Sequence, residues 1–232
     1  MATGWSDIIS NSAMVIIDDV RLAEQLQASP ALFYRRMSLY TKEALPMMSR
    51  PPELLSHLTN GMEEPSYDSY EWTSTPASTS AVTVVNTGLL NYELCSICII
   101  HQDGSLEPYY DATYDDTTGD VTFPIQSESG INYTIDVYND GEFPDLTETQ
   151  MRLFGLAIAI VWDERFSRNW LNMQMKIKDS SFETVNESNY IEKVTDRMET
   201  NRRYFNDELR KYEQDVAYNR VVPNAIKTRV LI

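Results

Sequence analysis

Two cysteines three positions apart, Cys95 and Cys98, are the first residues whose types and spacing could do chemistry. Such a pair could contribute two thiolates to a zinc ion or close a disulfide. A zinc site needs about four ligands, and the chain adds only His57 and His101, which fall in different elements. The pair lies in YELCSICIIH, a run that reads as a strand. Positions three apart on a strand point to opposite faces, so the two sulfurs should not meet. The expectation is two reduced, buried thiols.

Aspartates are the second candidate set. Asp103, Asp111, Asp115, Asp116, Asp120 and Asp140 cluster in turn-like sequence, and oxygen-rich turns can hold calcium. The window starting at Asp111 fails the helix-loop-helix calcium pattern. Its sixth position is Asp116 where glycine is required, and its twelfth is Thr122 where glutamate is required. Turn aspartates that cap their own backbone are the plainer reading. Tyr109, Tyr110 and Tyr114 could stack on a sugar, against a cross-strand packing role. Neither histidine neighbours a serine or cysteine in a triad context, and no glycine-rich phosphate loop is present. Acidic pairs abound, but nothing selects one pair as acid and base. No catalytic residue, metal ligand or cofactor is therefore expected.

Charge carries more information than any motif. The 232 residues hold 19 Lys and Arg against 35 Asp and Glu, a net charge of −16. Between Arg50 and Arg152 there is no Lys or Arg, and that window holds 18 acids. The rest of the chain is close to balanced, with 19 basic and 17 acidic residues. Tight binding of nucleic-acid phosphates needs clustered Lys and Arg, so a grip on DNA is disfavoured. The plain reading is an acidic, soluble surface; the functional one is a surface that repels an anion. No secretory leader, lipidation motif or membrane-spanning run is visible, so a reducing cytosol is the expected site of synthesis.

The elements that must carry these residues follow from pattern. Residues 147–178 read as a long helix, started by a capping box of Asp145 with Glu148 or Thr147 with Gln150. From Leu153 to Trp162 it is apolar on every face, hence buried all round, and at ten residues too short for a bilayer. Gly155, Ala157 and Ala159 allow close approach of a neighbour. Phe166, Trp170, Met173 and Ile177 continue one inward face. Residues 1–60 read as shorter helices. Val20, Leu22, Ala23 and Leu26 mark one, and Ser29–Pro30 starts another with core positions Leu32, Phe33, Met37, Tyr40 and Leu45. Arg35 and Arg36 sit on its polar flank. Residues 61–80, rich in Ser, Thr, Pro and acid, read as a linker whose Tyr67, Tyr70 and Trp72 pack as an arm. Residues 81–142 switch to period two, with turns such as QDG and DDTTG, and suggest an inserted small β-sandwich.

A loop anchored by Phe182 leads to a second long helix. Its positions Ile191, Val194, Met198, Asn201, Phe205, Leu209, Tyr212 and Val216 form a heptad seam with one stutter. Glu199–Arg203 and Asp207–Lys211 are spaced as helix ion pairs. The two long helices, residues 143–220 with their lead-in, should pack as an antiparallel hairpin. A seam shared with a second subunit is the alternative. Residues 221–232 read as an extended tail. Ile226, Thr228, Val230 and Ile232 alternate with Lys227, Arg229 and Leu231, a pattern suited to adding to a sheet edge. A tail folded back on its own β domain, or disordered, is the alternative. The fold class expected is α+β.

The run from Val20 to Pro52, with SPALFYRRMSLYTKEALPMMSRPPEL, resembles the N-terminal helices of head–tail connector proteins of tailed bacteriophages. The order of short helices, β insertion, long hairpin and basic tail is similar too. The resemblance implies a ring, commonly of twelve copies, at the head–tail interface of a virion, between the portal and the tail or neck proteins. It implies an acidic channel through which DNA passes without sticking, and docking of residues 226–232 on the portal. The inserted β domain departs from the smallest, all-helical connectors. Two rivals remain: a binding module whose β-sandwich recognises a glycan or capsid surface, and a cytosolic scaffold.

Overall fold

The computed structural model describes residues 2–177 and 185–221, with side chains placed for 2–165 and 195–219. It is mixed helix and sheet, 51% helix and 22% strand, which places it in the α+β class. The chain opens with β1 (Thr3–Gly4) and then α1 (Trp5–Ile8), a π-helical turn (Ile9–Ala13) and α2 (Met14–Ile17) as one continuous rod. Next come α3 (Val20–Ala28), α4 (Pro30–Ala44), a 3-10 turn (Leu45–Met48) and α5 (Pro52–Thr59). The strands are β2 (Ser66–Thr73), β3 (Thr83–Asn86), β4 (Leu94–Ile100), β5 (Leu106–Pro108), β6 (Thr113–Asp115), β7 (Asp120–Phe123), β8 (Asn132–Asn139) and β9 (Glu142–Phe143). Two long helices close the chain, α6 (Glu148–Ile177) and α7 (Val185–Val221).

Helix α6 is the axis of the helical core. Thr147 and Gln150 form its capping box: the Gln150 backbone N–H donates to Thr147 Oγ1 at 3.3 Å, and Thr147 N–H donates to Gln150 Oε1 at 2.8 Å. Leu153, Phe154 and the run Leu156 to Ile160 are all buried. The π-helical turn sits directly on Gly155. A Cβ there would lie 2.6 Å from Ser12 Cβ, so only glycine admits this approach. Ser12 Oγ also donates to the Met151 carbonyl at 3.1 Å, which gives the widened turn a polar partner at the contact. Trp5 stacks on Phe143 at 4.7 Å, tying the N-terminal rod to β9.

Strands β2, β8, β4 and β5 form a four-stranded antiparallel sheet in that order, and β3, β7 and β6 a three-stranded one. The two share a core of Val85, Ile97, Val121, Phe123, Tyr133, Ile135 and Val137. The opposite face of the larger sheet carries α4, through a polar seam. Ser96 Oγ accepts from the Ala31 backbone N–H at 2.9 Å, capping α4 from across the interface. Ser29, expected as the cap, instead turns its hydroxyl to Cys98 Sγ at 3.3 Å.

Two further expectations change. Residues 61–80 are not a linker: β2 lies within them and pairs with β8 over eight residues. The core stripe of α4 is rotated, with Ser38 and Thr41 buried beside Phe33 and Met37 while Leu32 and Tyr40 are half-buried. Both hydroxyls donate to the carbonyl four residues back, which satisfies them inside the core. The helix marked by Val20, Leu22, Ala23 and Leu26 forms as α3, with Leu22 buried and Val20 72% exposed at its start. The tail residues Ile226, Lys227, Arg229, Val230, Leu231 and Ile232, and the anchor Phe182, lie outside the described residues. So do the side chains of Phe166, Trp170, Met173, Ile177, Ile191 and Val194.

Candidate functional site

The acidic window becomes a surface. Of its 18 acids, all but Asp120, Asp136 and Asp140 are exposed. They project from α5, the sheets and the connecting turns. Asp103 accepts from Ser105 N and Oγ in the β4–β5 turn, at 2.9 and 2.6 Å, which holds its carboxyl below the usual range. Asp115 does the same for Thr117 and Thr118 in the β6–β7 turn, with the same consequence. Asp116 accepts from Thr117 Oγ1. Asp120 is half-buried and accepts from Asn86 Nδ2 at 2.6 Å. Asp111 is exposed in the β5–β6 loop. Asp103, Asp115 and Asp116 thus serve their own turns, while Asp120 ties β7 to β3. Among the described residues no group of three or more His, Cys, Asp or Glu is placed to hold a metal ion.

Two acids are buried for a different purpose. Asp136, on β8, faces α4 and accepts from Arg35 at 3.1 Å and Thr134 Oγ1 at 3.1 Å. Burial pushes its carboxyl above the usual range, against the pull of Thr134 and Arg35. Arg35 therefore pins α4 to the sheet, and its guanidinium lies 4.7 Å from the Tyr67 ring on β2. Asp163, fully buried on α6, is held by Arg197 of α7, whose Nη1 also reaches the Ile17 carbonyl at 2.9 Å. Its burial likewise raises its carboxyl, with Arg197 opposing. Sequence reading missed this junction. Asp163 closing an apolar run was the available signal, but nothing local points to a partner 34 residues away.

The seam on α7 faces α6 through Phe205 and Leu209, both buried, with Met198, Tyr212 and Val216 half-buried. Contacts run from Gln150–Tyr212 at one end to Asp163–Arg197 at the other, so the helices are antiparallel. Glu199–Arg203 pairs as spaced, at 3.5 Å. Lys211 pairs with Glu208 at 2.7 Å rather than with Asp207, because the i,i+3 carboxylate is the nearer one here. Beside this seam, between α6, α7 and the end of α4, lies a groove of about 800 Å³. Two of the arginines that line it are engaged, Arg165 with Glu43 and Arg202 with Glu164.

The cysteines point to opposite faces, Cys98 toward Ser29 and Cys95 toward the inter-sheet core, and neither is bridged. Burial pushes the Cys95 thiol up to about 12 and also raises Cys98. His57 reaches the Asp145 carbonyl and His101 the Glu107 carboxylate, so the histidines are far apart in role. The three tyrosines line a hollow of about 370 Å³. Tyr109 packs on Phe123 and Tyr133, and Tyr114 donates to the Leu89 carbonyl at 2.7 Å. Only Tyr110 of the three, 73% exposed, is placed to meet a ligand. Among the described residues no helix is long and apolar enough to cross a membrane. Comparison of the chain with protein-family models, with curated proteins and with solved structures found no match.

Proposed function

We propose that the chain is a structural subunit of a tailed-bacteriophage virion. Copies of it would form a ring at the head–tail interface, between the portal and the tail or neck proteins, around the path of the DNA. The observation that carries this reading is the one-signed surface of residues 51–151, set against helices whose charges balance. Lys42 of α4 pairs with Glu64 and Arg35 with Asp136, so two of the 18 acids have a cation beside them. The remaining exposed carboxylates of the window repel phosphate at any sequence, so DNA can pass without being held. The architecture is read as a small β-sandwich inserted between two parts of a helical domain, completed by the α6–α7 hairpin. Long, closely packed helices give a ring wall rigidity. Gly155 supports such packing within the subunit. The docking segment is the tail, residues 226–232.

Chemistry takes no part in this proposal: no residue is assigned a catalytic, metal or cofactor role. The test is co-sedimentation of the purified chain with portal rings from its own phage, alongside duplex DNA at low salt. Retention on the portal with no retention on DNA is expected. Retention on DNA, or indifference to the portal, counts against it. A second reading, a binding module for a glycan or capsid surface, draws on Tyr110 beside its hollow. Binding to a glycan array that is lost in Tyr110→Ala would favour it.

A further inference from the structure

The larger sheet has two very different edges. One is β5, three residues long and ending in Pro108. Short strands and proline are common protections against further pairing. The other is β2, eight residues long, paired with β8 in continuous register without a bulge. It holds no proline and no lysine. Among the described residues no strand pairs with its outer side.

The orientation of that side can be read from one hydrogen bond. The Ser69 backbone N–H donates to its neighbour's side chain, Asp68 Oδ1, at 2.8 Å. It is therefore turned away from β8, and the alternation of an antiparallel ladder turns Tyr67, Glu71 and Thr73 outward with it. The side chains alternate as well. Tyr70 and Trp72 join the inter-sheet core. Tyr67 lies against Arg35 of α4, and Glu71 is near enough to Asp136 to raise its carboxyl. An added strand would thus meet Tyr70 and Trp72, with Asp68 two residues before Tyr70, on one face, and Tyr67 and Glu71 on the other.

Residues 224–232, NAIKTRVLI, have that alternation. Ile226, Thr228, Val230 and Ile232 share one set of positions; Lys227, Arg229 and Leu231 share the other, and the segment has no acid. The carrier helix also argues for where it goes. Toward its C-terminal end α7 is tied to α6 by Gln150 Nε2, which donates to the Tyr212 hydroxyl at 2.9 Å. From there α7 continues to Val221, about 13 Å further at 1.5 Å per residue. Ala217 and Tyr218 on that last stretch are exposed. The eleven residues beyond it could span up to about 36 Å if extended.

We propose that the outer edge of β2 is the docking site for residues 224–232 of a second copy of this chain, which add to the four-stranded sheet as a further strand. Backbone hydrogen bonds supply the attraction, and Lys227 and Arg229 facing Glu71 fix the face and register. The inference rests on the ring reading and deepens it by naming how one copy holds the next; the docking segment of each subunit then engages a neighbouring copy in place of the portal.

The test uses the full chain and follows association by sedimentation velocity over a concentration series. Glu71→Lys should weaken association about tenfold or more, and so should Lys227→Glu with Arg229→Glu on a separate chain. Mixing those two variants should restore it, because each then offers the charge that the other lacks. Ser69→Pro, which removes an outward donor but no bond to β8, should weaken it without rescue by any tail variant. Single copies of the wild type at every concentration would overturn the proposal. So would association indifferent to both Glu71→Lys and Ser69→Pro. Failure of the mixture to recover would overturn the second copy as the source of the strand. The ring reading fails separately: mutation-sensitive dimers or open filaments would refute the ring while keeping the docking edge. Closed rings unchanged in Glu71→Lys would do the reverse.

Discussion

Replacing Arg197 by alanine should destabilise the fold by about 3 kcal/mol or more, through the carboxylate that it leaves behind. Asp163 has no exposed surface, and Arg197 supplies it with hydrogen bonds from Nε, at 3.2 Å, and Nη2. Removing one partner of a buried pair costs about 3–5 kcal/mol, because the other charge stays desolvated and uncompensated. Arg197 is itself 31% exposed, so water can enter the space it vacates, and the lower end of that range applies. The loss of its bond to the Ile17 carbonyl adds to the effect. Removing both charges should cost far less, so Asp163→Leu with Arg197→Met should recover most of the loss. The sign with pH follows from Asp163. Its carboxyl already lies above the usual range through burial, with Arg197 opposing the rise. Without Arg197 it rises further, so the folded variant prefers the protonated acid. The deficit of Arg197→Ala should therefore shrink as pH falls toward the raised value and be largest at neutral pH. Urea denaturation at several pH values measures this, with unchanged slopes as the check on two-state behaviour. A loss below about 1 kcal/mol at pH 7, or a double variant no better than the single, would refute the reasoning.

Three further outcomes are expected. Gly155→Ala gains about 1 kcal/mol of helix propensity but forces a Cβ against Ser12, an overpacking cost of about 1–3 kcal/mol, so it should destabilise on balance. Ser12→Gly in the same chain should relieve that part, read as a positive coupling in a double-mutant cycle. Calcium should leave the melting temperature unchanged within about 1 °C, and a rise of several degrees would reveal a site the turn aspartates do not suggest. Cys95 and Cys98, both raised by burial, should resist alkylation at pH 8 in the folded protein and react on unfolding; fast labelling of the native chain would contradict their environment.

What the sequence made legible was local. Thr147 and Gln150 are three residues apart, so their capping box could be seen before α6 was. Pro30 marked the start of α4, and the apolar runs of β4 and β8 announced buried strands. Strand β2 was hidden for a physical reason. As an edge strand it is mostly exposed, so SYDSYEWT keeps polar residues on both faces and lies among Ser, Thr and Pro. The α4 cap was hidden because the donor and acceptor, Ala31 and Ser96, are 65 residues apart. A cap supplied by the chain's own Ser29 was the economical local reading, and the sheet replaced it. Arg35 looked like any surface arginine until β8 placed Asp136 under it. The acidic bias of residues 51–151 was legible without a fold, but which of its acids stand free was not: Asp136 is buried under Arg35 and Glu64 pairs with Lys42 of α4.

Electron microscopy of the purified chain at high concentration, alone and with portal rings, tests the central proposal most directly. The account predicts rotationally symmetric closed rings with an open centre, with the acidic surface of residues 51–151 turned to the opening. Single copies under both conditions, or assemblies with the balanced helices lining the opening and the carboxylates outside, would contradict it.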